Sequence, residues 1–462
     1  MSEAITAPVG SKEEKRAFNK MLFRIVLPIV VQYLLNNAIS SVDVIMLNFV
    51  GQNALASVSL ATQFSFVLNM IFSGLASGAA VLTAQYWGKK DYRTIEKIMG
   101  IAFRMALLFS TAFALGAILF PRQLMMVFTG EAALIQDGAL YLRVVGISFL
   151  FMGISTMYLN MMRSMERVVL STATSAIAFG VNVLLNSAFI FGWFGIPKMG
   201  ILGVALATVA ARFVQLMICM VDASRSKTVK LRAKYILQSN PLLMKDFFKF
   251  ALPALGNDLV WGVGISMYSV IIGHMSSDAV AANSIIKVVH NLACVAGLGL
   301  SNGTGIIIGK TIGSGDTDRA KKYASRLLRM TWVASSVCAL VMIALHPAIM
   351  AFGGELTETA RGYLSIMIWI NAYYAVAKCV NSFTLCGVIR AGGDAKFGFI
   401  LETIALWCVF IPLGAFCGYV LKLPVMAVYT ILWLDEAAKY PVILRRYLKG
   451  EWARNITRDW EE

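Results

Sequence analysis

The sequence has little charge for its length. Among its 462 residues only 14% are Asp, Glu, Lys or Arg, whereas 58% are hydrophobic, and the mean hydropathy is +0.71. A soluble domain has about 25% charged residues, so this chain has too few to cover a surface that faces water. The composition excludes an ordinary soluble protein and predicts a chain whose solvent is lipid.

Several chemical signatures are also missing. The sequence has no P-loop, its three histidines suggest no site by their spacing, and its seven cysteines form no CxxC or Cys/His metal spacing. Because no catalytic constellation stands out, we predict neither an enzyme nor a cofactor. The net charge of +16 comes without a basic patch interleaved with aromatic residues, so we predict no nucleic-acid partner.

The sequence contains a series of long apolar runs instead. A membrane helix needs about 20 mostly apolar residues, and twelve runs reach that length. They are too long for the strands of a β-barrel, which alternate over about 10 residues. We predict an all-α integral membrane protein with twelve transmembrane helices, at residues 24–49, 59–86, 98–120, 139–162, 168–194, 200–222, 248–274, 283–311, 328–352, 361–385, 397–421 and 424–445.

Lysine and arginine are divided unevenly between the loops. With the N-terminus inside, the cytoplasmic segments carry 32 of them and the opposite loops carry four. Cytoplasmic loops are enriched in these residues, so we predict a multi-pass protein of the inner (plasma) membrane with both termini in the cytoplasm. The basic segments also favour contact with anionic membrane lipid.

The two halves of the chain resemble each other at an offset of 225 residues. The offset aligns one proline, three glycines and one aspartate: Pro28 with Pro253, Gly74 with Gly299, Gly78 with Gly303, Gly88 with Gly313 and Asp91 with Asp316. Because each half holds six spans, we predict a monomer of two parallel, pseudo-symmetric six-helix lobes, 1–222 and 248–462, joined by a cytoplasmic linker, 223–247. A cavity between such lobes, open to each side in turn, provides alternating access.

One aspartate, Asp43, lies in the middle of a long apolar run. An ionisable residue deep in a span costs about 2.5–3.5 kcal/mol on insertion scales, so it normally faces a cavity or a partner. Asn36 and Ser40 share its helical face, and the fifth span adds Asn182 and Asn186. A carboxylate among amides and hydroxyls suits Na⁺ and can equally hold a proton. The alternative is a hydrogen-bonded carboxylate that serves helix packing.

The second half has ionisable residues of its own within spans. Asp258 and Glu402 lie in the seventh and eleventh spans, and three cations lie at or within spans: Lys287, His290 and Lys378. Two acids that face a cavity suit an organic cation, and an aromatic ring such as that of Trp261 stacks on a flat cation. The alternative is a set of carboxylate–lysine pairs that hold helices together.

Two prolines and two further acids complete the candidate residues. Proline kinks a helix because it removes a backbone hydrogen bond and clashes with the preceding turn, so we predict hinges at Pro28 and Pro253. Asp435 and Glu436 lie near the end of the last span, and we expect both at the membrane interface.

Short motifs in a fixed order carry a resemblance to a known family. They are Pro28, Asp43 and Gly51, then "ALASVSLA", "GLASGAAVLTAQYWGKKD", "NVLLN", "GVALAT", "ALPALGNDLVWGVG", "RAGGD", "IPL" and the tail "DEAAKY" with "EWARNIT". In combination they resemble the multidrug and toxic compound extrusion (MATE) transporters, in the bacterial, Firmicute-type branch. The resemblance covers almost the whole chain.

The resemblance implies an antiporter that exports organic, cationic drugs or metabolites while Na⁺ or H⁺ enters. It also implies an N-lobe cation site at Asp43, Asn182, Asn186 and Thr208. Asn186 departs from the aspartate that some relatives have there, which leaves the coupling ion open. Asp258 is the nearest match to an acid that some relatives use in the seventh span.

Two other functions stay open on the residues alone. A flippase for lipid-linked oligosaccharides, from the same wider superfamily, needs several arginines for pyrophosphate, and the spans hold only Arg104, Arg143 and Arg212. A non-transporting membrane scaffold or receptor explains neither the intramembrane carboxylate nor the repeat.

Overall fold

The structure, a computed structural model, describes residues 12–195, 197–226, 228–238, 240–352 and 356–459. Within these ranges the chain forms eighteen α-helices and no strand, as the apolar runs predict. The first half contains α1 Lys12–Val50, α2 Gln52–Lys89, α3 Tyr92–Leu119, α4 Pro121–Met126, α5 Ala132–Val145, α6 Ser148–Ser164, α7 Val168–Phe191, α8 Gly200–Arg225 and α9 Ala233–Leu237.

The second half follows the same plan and adds stretches of wider helix. Its helices are α10 Pro241–Met275, α11 Ser277–Gly313, α12 Thr317–Ala344, α13 His346–Phe352, α14 Glu358–Ser382, α15 Ala395–Glu402, α16 Ile411–Ala415, α17 Val425–Leu432 and α18 Asp435–Lys449. Helix α14 continues as the π-helix Phe383–Ile389, and π-helices Thr403–Phe410 and Phe416–Val420 flank α16. Such π-helical segments are rare and often lie at functional sites.

The helices account for the predicted spans. Ten of those described are long and apolar enough to cross a membrane, and α5 with α6, bent by 53°, forms an eleventh if the pair is one span. The twelfth predicted run, 424–445, is divided between α17 and α18. Because α18 begins with Asp435 and Glu436, it fails a test based on apolar composition alone.

The chain groups by contacts into two units. The N-terminal unit is Val31–Ala251, and the C-terminal unit is Leu252–Glu462 together with Met1–Val30. Helices α1 and α10 therefore each change unit within their length, close to their internal prolines, Pro28 and Pro253. The lobe bounds predicted from the repeat stay a prediction, since by contacts the first part of α1 joins the C-terminal unit.

The paired glycines lie where each of these crossing helices packs. A Cβ at Gly78 of α2 would stand 2.4 Å from the Cα of Ala251 on α10, and one at Gly303 of α11 would stand 2.7 Å from Val26 Cγ2 on α1. Ala251 and Val26 are themselves related by the offset of 225 residues. Small residues let membrane helices approach closely, so the repeat preserves one packing contact in both units.

Candidate functional site

Three helices of the C-terminal unit bring ionisable side chains together. Helix α18 begins with Asp435 and Glu436, and Lys439 follows one turn later. Glu402 ends α15, and Lys378 lies near the end of α14. We call these five side chains, Lys378, Glu402, Asp435, Glu436 and Lys439, the charge cluster.

Lys439 is the centre of the charge cluster. Its Nζ lies 3.0 Å from Glu402 Oε2, 3.1 Å from Asp435 Oδ2 and 3.1 Å from Glu436 Oε1. Asp435 and Lys439 are four residues apart on one helix, a spacing that places side chains on the same face. Glu402 comes from a different helix, so the ammonium group ties α18 to α15.

A second ammonium group stands beside the first. The Nζ of Lys378 lies 3.2 Å from Glu436 Oε1 and 4.2 Å from the centre of the Trp261 ring. The side-chain amide of Asn381 donates hydrogen bonds to Glu436 Oε2 at 2.7 Å and to the Glu436 carbonyl at 2.6 Å. A carboxylate and an aromatic face are the two groups that bind ammonium ions in proteins.

The charge cluster is dry and its charges do not balance. The side chains of Asp435, Glu436 and Lys439 are at most 1% exposed, and three carboxylates face two ammonium groups. Asp435 is the least satisfied, because neither of its oxygens makes a hydrogen bond although one lies near Lys439. Removing one partner of a buried ion pair costs about 3–5 kcal/mol, so a surplus carboxylate here favours uptake of a proton or a small cation.

Aromatic side chains form one wall beside the charge cluster. The rings of Tyr429 and Trp433 stack at 4.0 Å, and Tyr268 lies 5.5 Å from Trp433. The Tyr429 hydroxyl accepts a hydrogen bond from Asn371 at 2.8 Å and donates one to Asn283 at 3.2 Å. The buried hydroxyl of Tyr268 has no hydrogen-bond partner, and all three acids and Lys439 act on it electrostatically.

The acids predicted in the second half do not share one site. Glu402 joins the charge cluster, and Trp261 reaches it through Lys378. Asp258 pairs instead with Arg390, whose Nη2 lies 3.4 Å from Asp258 Oδ1. Both alternatives for these acids therefore occur, since every one of them has a cationic partner.

The expectation that Asp435 and Glu436 lie at the membrane interface is wrong. Their side chains are 0% and 1% exposed, and Lys439 is 1% exposed. The expectation failed because α14 and α15 supply partners for them that are distant in sequence. One local signal was available: Lys439 follows Asp435 by four residues, and the spans held Glu402 and Lys378 without obvious partners.

The predicted N-lobe site is described only in part. Asn186 donates a hydrogen bond to Asn182 at 3.2 Å, and both side chains are buried, while Thr208 donates to the Val204 carbonyl at 3.0 Å. The side chains of Asp43, Asn36 and Ser40 lie outside the described residues. The grouping of these residues into a cation site stays a prediction.

The donor set of the charge cluster suits a proton better than a metal ion. Among the described residues, no group of three or more His, Cys, Asp or Glu side chains has an arrangement that could hold a metal ion. Within the charge cluster the carboxylates converge on the ammonium of Lys439. The Na⁺ predicted at Asp43 concerns a side chain outside the described part of the chain.

The sequence is similar to a family and to several curated proteins. Residues 28–187 and 254–416 match the MatE family. The chain is 23% identical over 440 residues to "Uncharacterized transporter YisQ" of Bacillus subtilis, covering 93% of this chain and 94% of that protein. It is 21% identical over 458 residues to "Probable multidrug resistance protein NorM" of Thermotoga maritima, covering 97% and 96%.

The fold is similar to those of solved transporters. One is described as the "Outward-facing conformation of a multidrug resistance MATE family transporter of the MOP superfamily", with a TM-score of 0.84, 14% identity and coverage of 94% of this chain and 96% of that one. Another, a MOP superfamily transporter from Pyrococcus furiosus, has a TM-score of 0.80 at 15% identity, with coverage of 93% and 94%. This likeness confirms the predicted fold class, an all-α membrane protein with the twelve-helix, two-lobe arrangement.

Proposed function

Because this chain belongs to the MatE family of multidrug and toxic compound extrusion transporters, we propose that it exports small organic cations across the cytoplasmic membrane in exchange for an inward-moving H⁺ or Na⁺. Members of this family are membrane transporters, not enzymes. The exchange and the cationic cargo are our proposal, as are alternating access, a monomeric state and the cytoplasmic location of both termini.

The observation that carries the proposal is the charge cluster. Ionisable residues inside a membrane protein are expensive and generally mark ion or substrate pathways. Here five of them meet within contact distance, with one more carboxylate than ammonium group. A cation that arrives from the outer side would balance the surplus carboxylate, and its departure on the inner side would restore it.

The binding chemistry around Lys378 supports a cationic cargo. Its ammonium lies against both the Trp261 ring and the Glu436 carboxylate. An organic ammonium would find the same two partners if Lys378 moved aside. Competition of this kind lets one carboxylate serve first the cargo and then the protein's own lysine.

The N-lobe part of the proposal rests on the family resemblance. Asp43 would take up H⁺ or Na⁺, with Asn182, Asn186 and Thr208 beside it and Asn36 and Ser40 on its own helix. Pro28 and Pro253 would act as hinges in α1 and α10. Both prolines lie inside continuous helices close to the residue where the helix changes unit, which is where a bend would alter packing most.

The flippase alternative gains no support from the arginines within the spans. Arg104 donates hydrogen bonds to the carbonyl groups of Ile236 at 2.9 Å and Gln238 at 2.7 Å, so it fastens the segment after α8 onto α3. Arg212 donates to Gln215 at 3.0 Å on its own helix. A cluster of arginines for pyrophosphate is not formed by these residues.

The test is gradient-driven efflux from proteoliposomes. Vesicles loaded with a fluorescent organic cation receive a proton gradient or a sodium gradient separately, in wild type, Asp43→Asn and the exposed-loop control Glu131→Gln. We expect one gradient to drive efflux in wild type and the control, and a rate at least about tenfold lower in Asp43→Asn, because one transmembrane charge at 100 mV corresponds to about 2.3 kcal/mol. Efflux that ignores both gradients would overturn the proposal of coupled exchange.

A further inference from the structure

Each unit places an arginine against an amide that lies one helical turn after its internal proline. In the N-terminal unit Arg163 donates to Gln32 Oε1 at 3.5 Å, and Gln32 is four residues after Pro28. In the C-terminal unit Asn257 is four residues after Pro253. With its amide oriented to satisfy both ends, it accepts from Arg390 at 3.3 Å and donates to the Gly398 carbonyl at 3.1 Å. The repeat therefore builds one motif twice.

The two copies of this motif differ in their acid. Asp258, the residue after Asn257, places its carboxylate 3.4 Å from Arg390. The residue after Gln32 is Tyr33, which carries no such charge. Arg163 makes no ion pair among the described residues, and its hydrogen-bond partners there are the neutral side chains of Gln32 and Asn160. One copy is neutralised internally and the other carries a net positive charge.

The acids nearest to Arg163 in sequence have other partners. Asp222 accepts hydrogen bonds from Arg167 at 2.9 Å and from the Tyr158 hydroxyl at 2.6 Å. Glu166 accepts from the Trp87 indole at 3.4 Å. A guanidinium group has five N–H donors, so two neutral acceptors leave much of the donor capacity of Arg163 unused.

Further donors surround Arg163. Gln32 donates to Ser175 Oγ at 3.0 Å and to Ser171 Oγ at 3.2 Å, which leaves the hydroxyl hydrogen of Ser175 available to donate. Both serines lie in the first two turns of the 24-residue helix α7, which begins at Val168 without a side-chain cap. The N-terminus of a helix favours anions because its first N–H groups lack intrahelical partners.

We propose that Arg163, with Gln32 and Ser175, binds an oxyanion supplied from outside the chain, a carboxylate or a phosphate. The forked guanidinium matches both groups with two parallel hydrogen bonds. Arg163 is partly exposed, whereas Gln32 and Ser175 are each 9% exposed, so the charge is accessible from one side of a buried polar base. Asp258 performs the same role for Arg390 from within the protein.

Two sources supply such a group, and the site treats them alike. One is the carboxylate of a small-molecule cargo, and the other is the phosphate of a lipid headgroup. The inference goes beyond cation-coupled export and does not depend on it, because binding can be measured without any gradient.

The experiment measures ligand-dependent thermal unfolding of the full chain. The variants are wild type, Arg163→Gln, Arg163→Lys and the matched control Arg390→Gln. In detergent the probes are benzoate, with neutral benzyl alcohol as its control, and inorganic phosphate. In nanodiscs the probe is phosphatidylglycerol, with zwitterionic phosphatidylcholine as its control. A ligand that binds only the folded protein raises the unfolding midpoint with concentration.

We expect at least one oxyanion to stabilise wild type and Arg390→Gln, with affinity about tenfold or more lower in Arg163→Gln, since hydrogen bonds to charged groups are strong. Arg163→Lys keeps the charge without the fork, so we expect an intermediate affinity even if Arg163→Gln does not fold. A response to benzoate or phosphate assigns the site to a soluble ligand, and a response confined to nanodiscs assigns it to lipid. Equal responses in Arg163→Lys and wild type, or no response to any oxyanion, would overturn the inference.

Discussion

The interiors of the two units differ although their sequences repeat. The C-terminal unit buries five charged side chains around Lys439. The described interior of the N-terminal unit instead holds amides, Asn182 and Asn186, which hydrogen-bond to each other. At the offset of 225 residues Asp43 corresponds to Tyr268 and Asn36 to Trp261. The predicted acid of one half thus has an aromatic residue as its counterpart in the other.

The residues that the repeat keeps are those that determine packing. Pro28 and Pro253 both interrupt long helices, and Gly78 and Gly303 both admit a crossing helix. The polar residues were free to diverge, because the helices pack in the same way whatever lines the interior. Function in this chain therefore lies in the differences between two copies of one scaffold.

The largest effect should follow from removing the central ammonium of the charge cluster. In Lys439→Met three buried carboxylates keep only Lys378 as a cation, and the loss of one partner of a buried ion pair costs about 3–5 kcal/mol. We expect a large fall in the unfolding midpoint or loss of folded protein, measured by size exclusion after heating. Lys449→Met, at an exposed site on the same helix, is the control. A midpoint equal to the control would show that the charges are not mutually dependent.

The second effect separates the two copies of the glycine contact. A Cβ at Gly78 would meet the backbone of Ala251, whereas one at Gly303 would meet a side-chain methyl of Val26. Overpacking costs about 1–3 kcal/mol, and a backbone yields less than a methyl group, so Gly78→Ala should lower the unfolding midpoint more than Gly303→Ala. Gly180→Ala, where a Cβ meets nothing within 4 Å, should lower it in neither way. The reverse order for the two contact glycines would contradict the account.

A third effect compares neutral and charged groups within the C-terminal unit. Tyr429→Phe leaves Asn371 and Asn283 without their shared hydroxyl, and a buried unsatisfied polar group costs about 1–3 kcal/mol. Its midpoint should fall less than that of Lys439→Met and more than that of Tyr419→Phe, whose ring is exposed. A loss as large as that of Lys439→Met would mean that the hydroxyl network, not the charges, holds this region.

The smallest effect should come from giving the N-terminal unit a further acid. Asn186→Asp places a carboxylate beside Asn182, where the wild type has an amide. Carboxylates and amide oxygens bind hard cations such as Na⁺, so sodium chloride should stabilise this variant relative to choline chloride more than it stabilises wild type. Asn69→Asp, at an exposed position of α2, is the control. Equal sodium effects in both variants would remove the case for a cation site there.

The fold was predictable because its signals are local. Runs of about 20 apolar residues and the spacing of glycines and prolines identify helices and their close contacts without knowledge of their partners. The same signals predicted one twelfth span where the structure has two helices, because Asp435 and Glu436 follow directly after a break.

The charge cluster was predictable only in part, because its partners are distant in sequence. Glu402 and Trp261 were recognised as candidates, whereas Lys439 was assigned to the tail and Asp435 to the interface. Their burial depends on which faces of α14, α15 and α18 meet, and no spacing within one helix encodes that. Arg163 was counted among the loop cations for the same reason, and only its contacts distinguish it.

The central claim is that a buried carboxylate of the charge cluster exchanges a coupling cation for the cargo. Its most direct test is gradient-driven efflux of a fluorescent organic cation from proteoliposomes that contain Asp435→Asn, with folding verified by the unfolding midpoint. We predict that the folded variant loses at least about nine-tenths of the driven rate, since each tenfold in rate corresponds to about 1.4 kcal/mol. A folded Asp435→Asn protein that exports at the wild-type rate under the same gradient would contradict the claim.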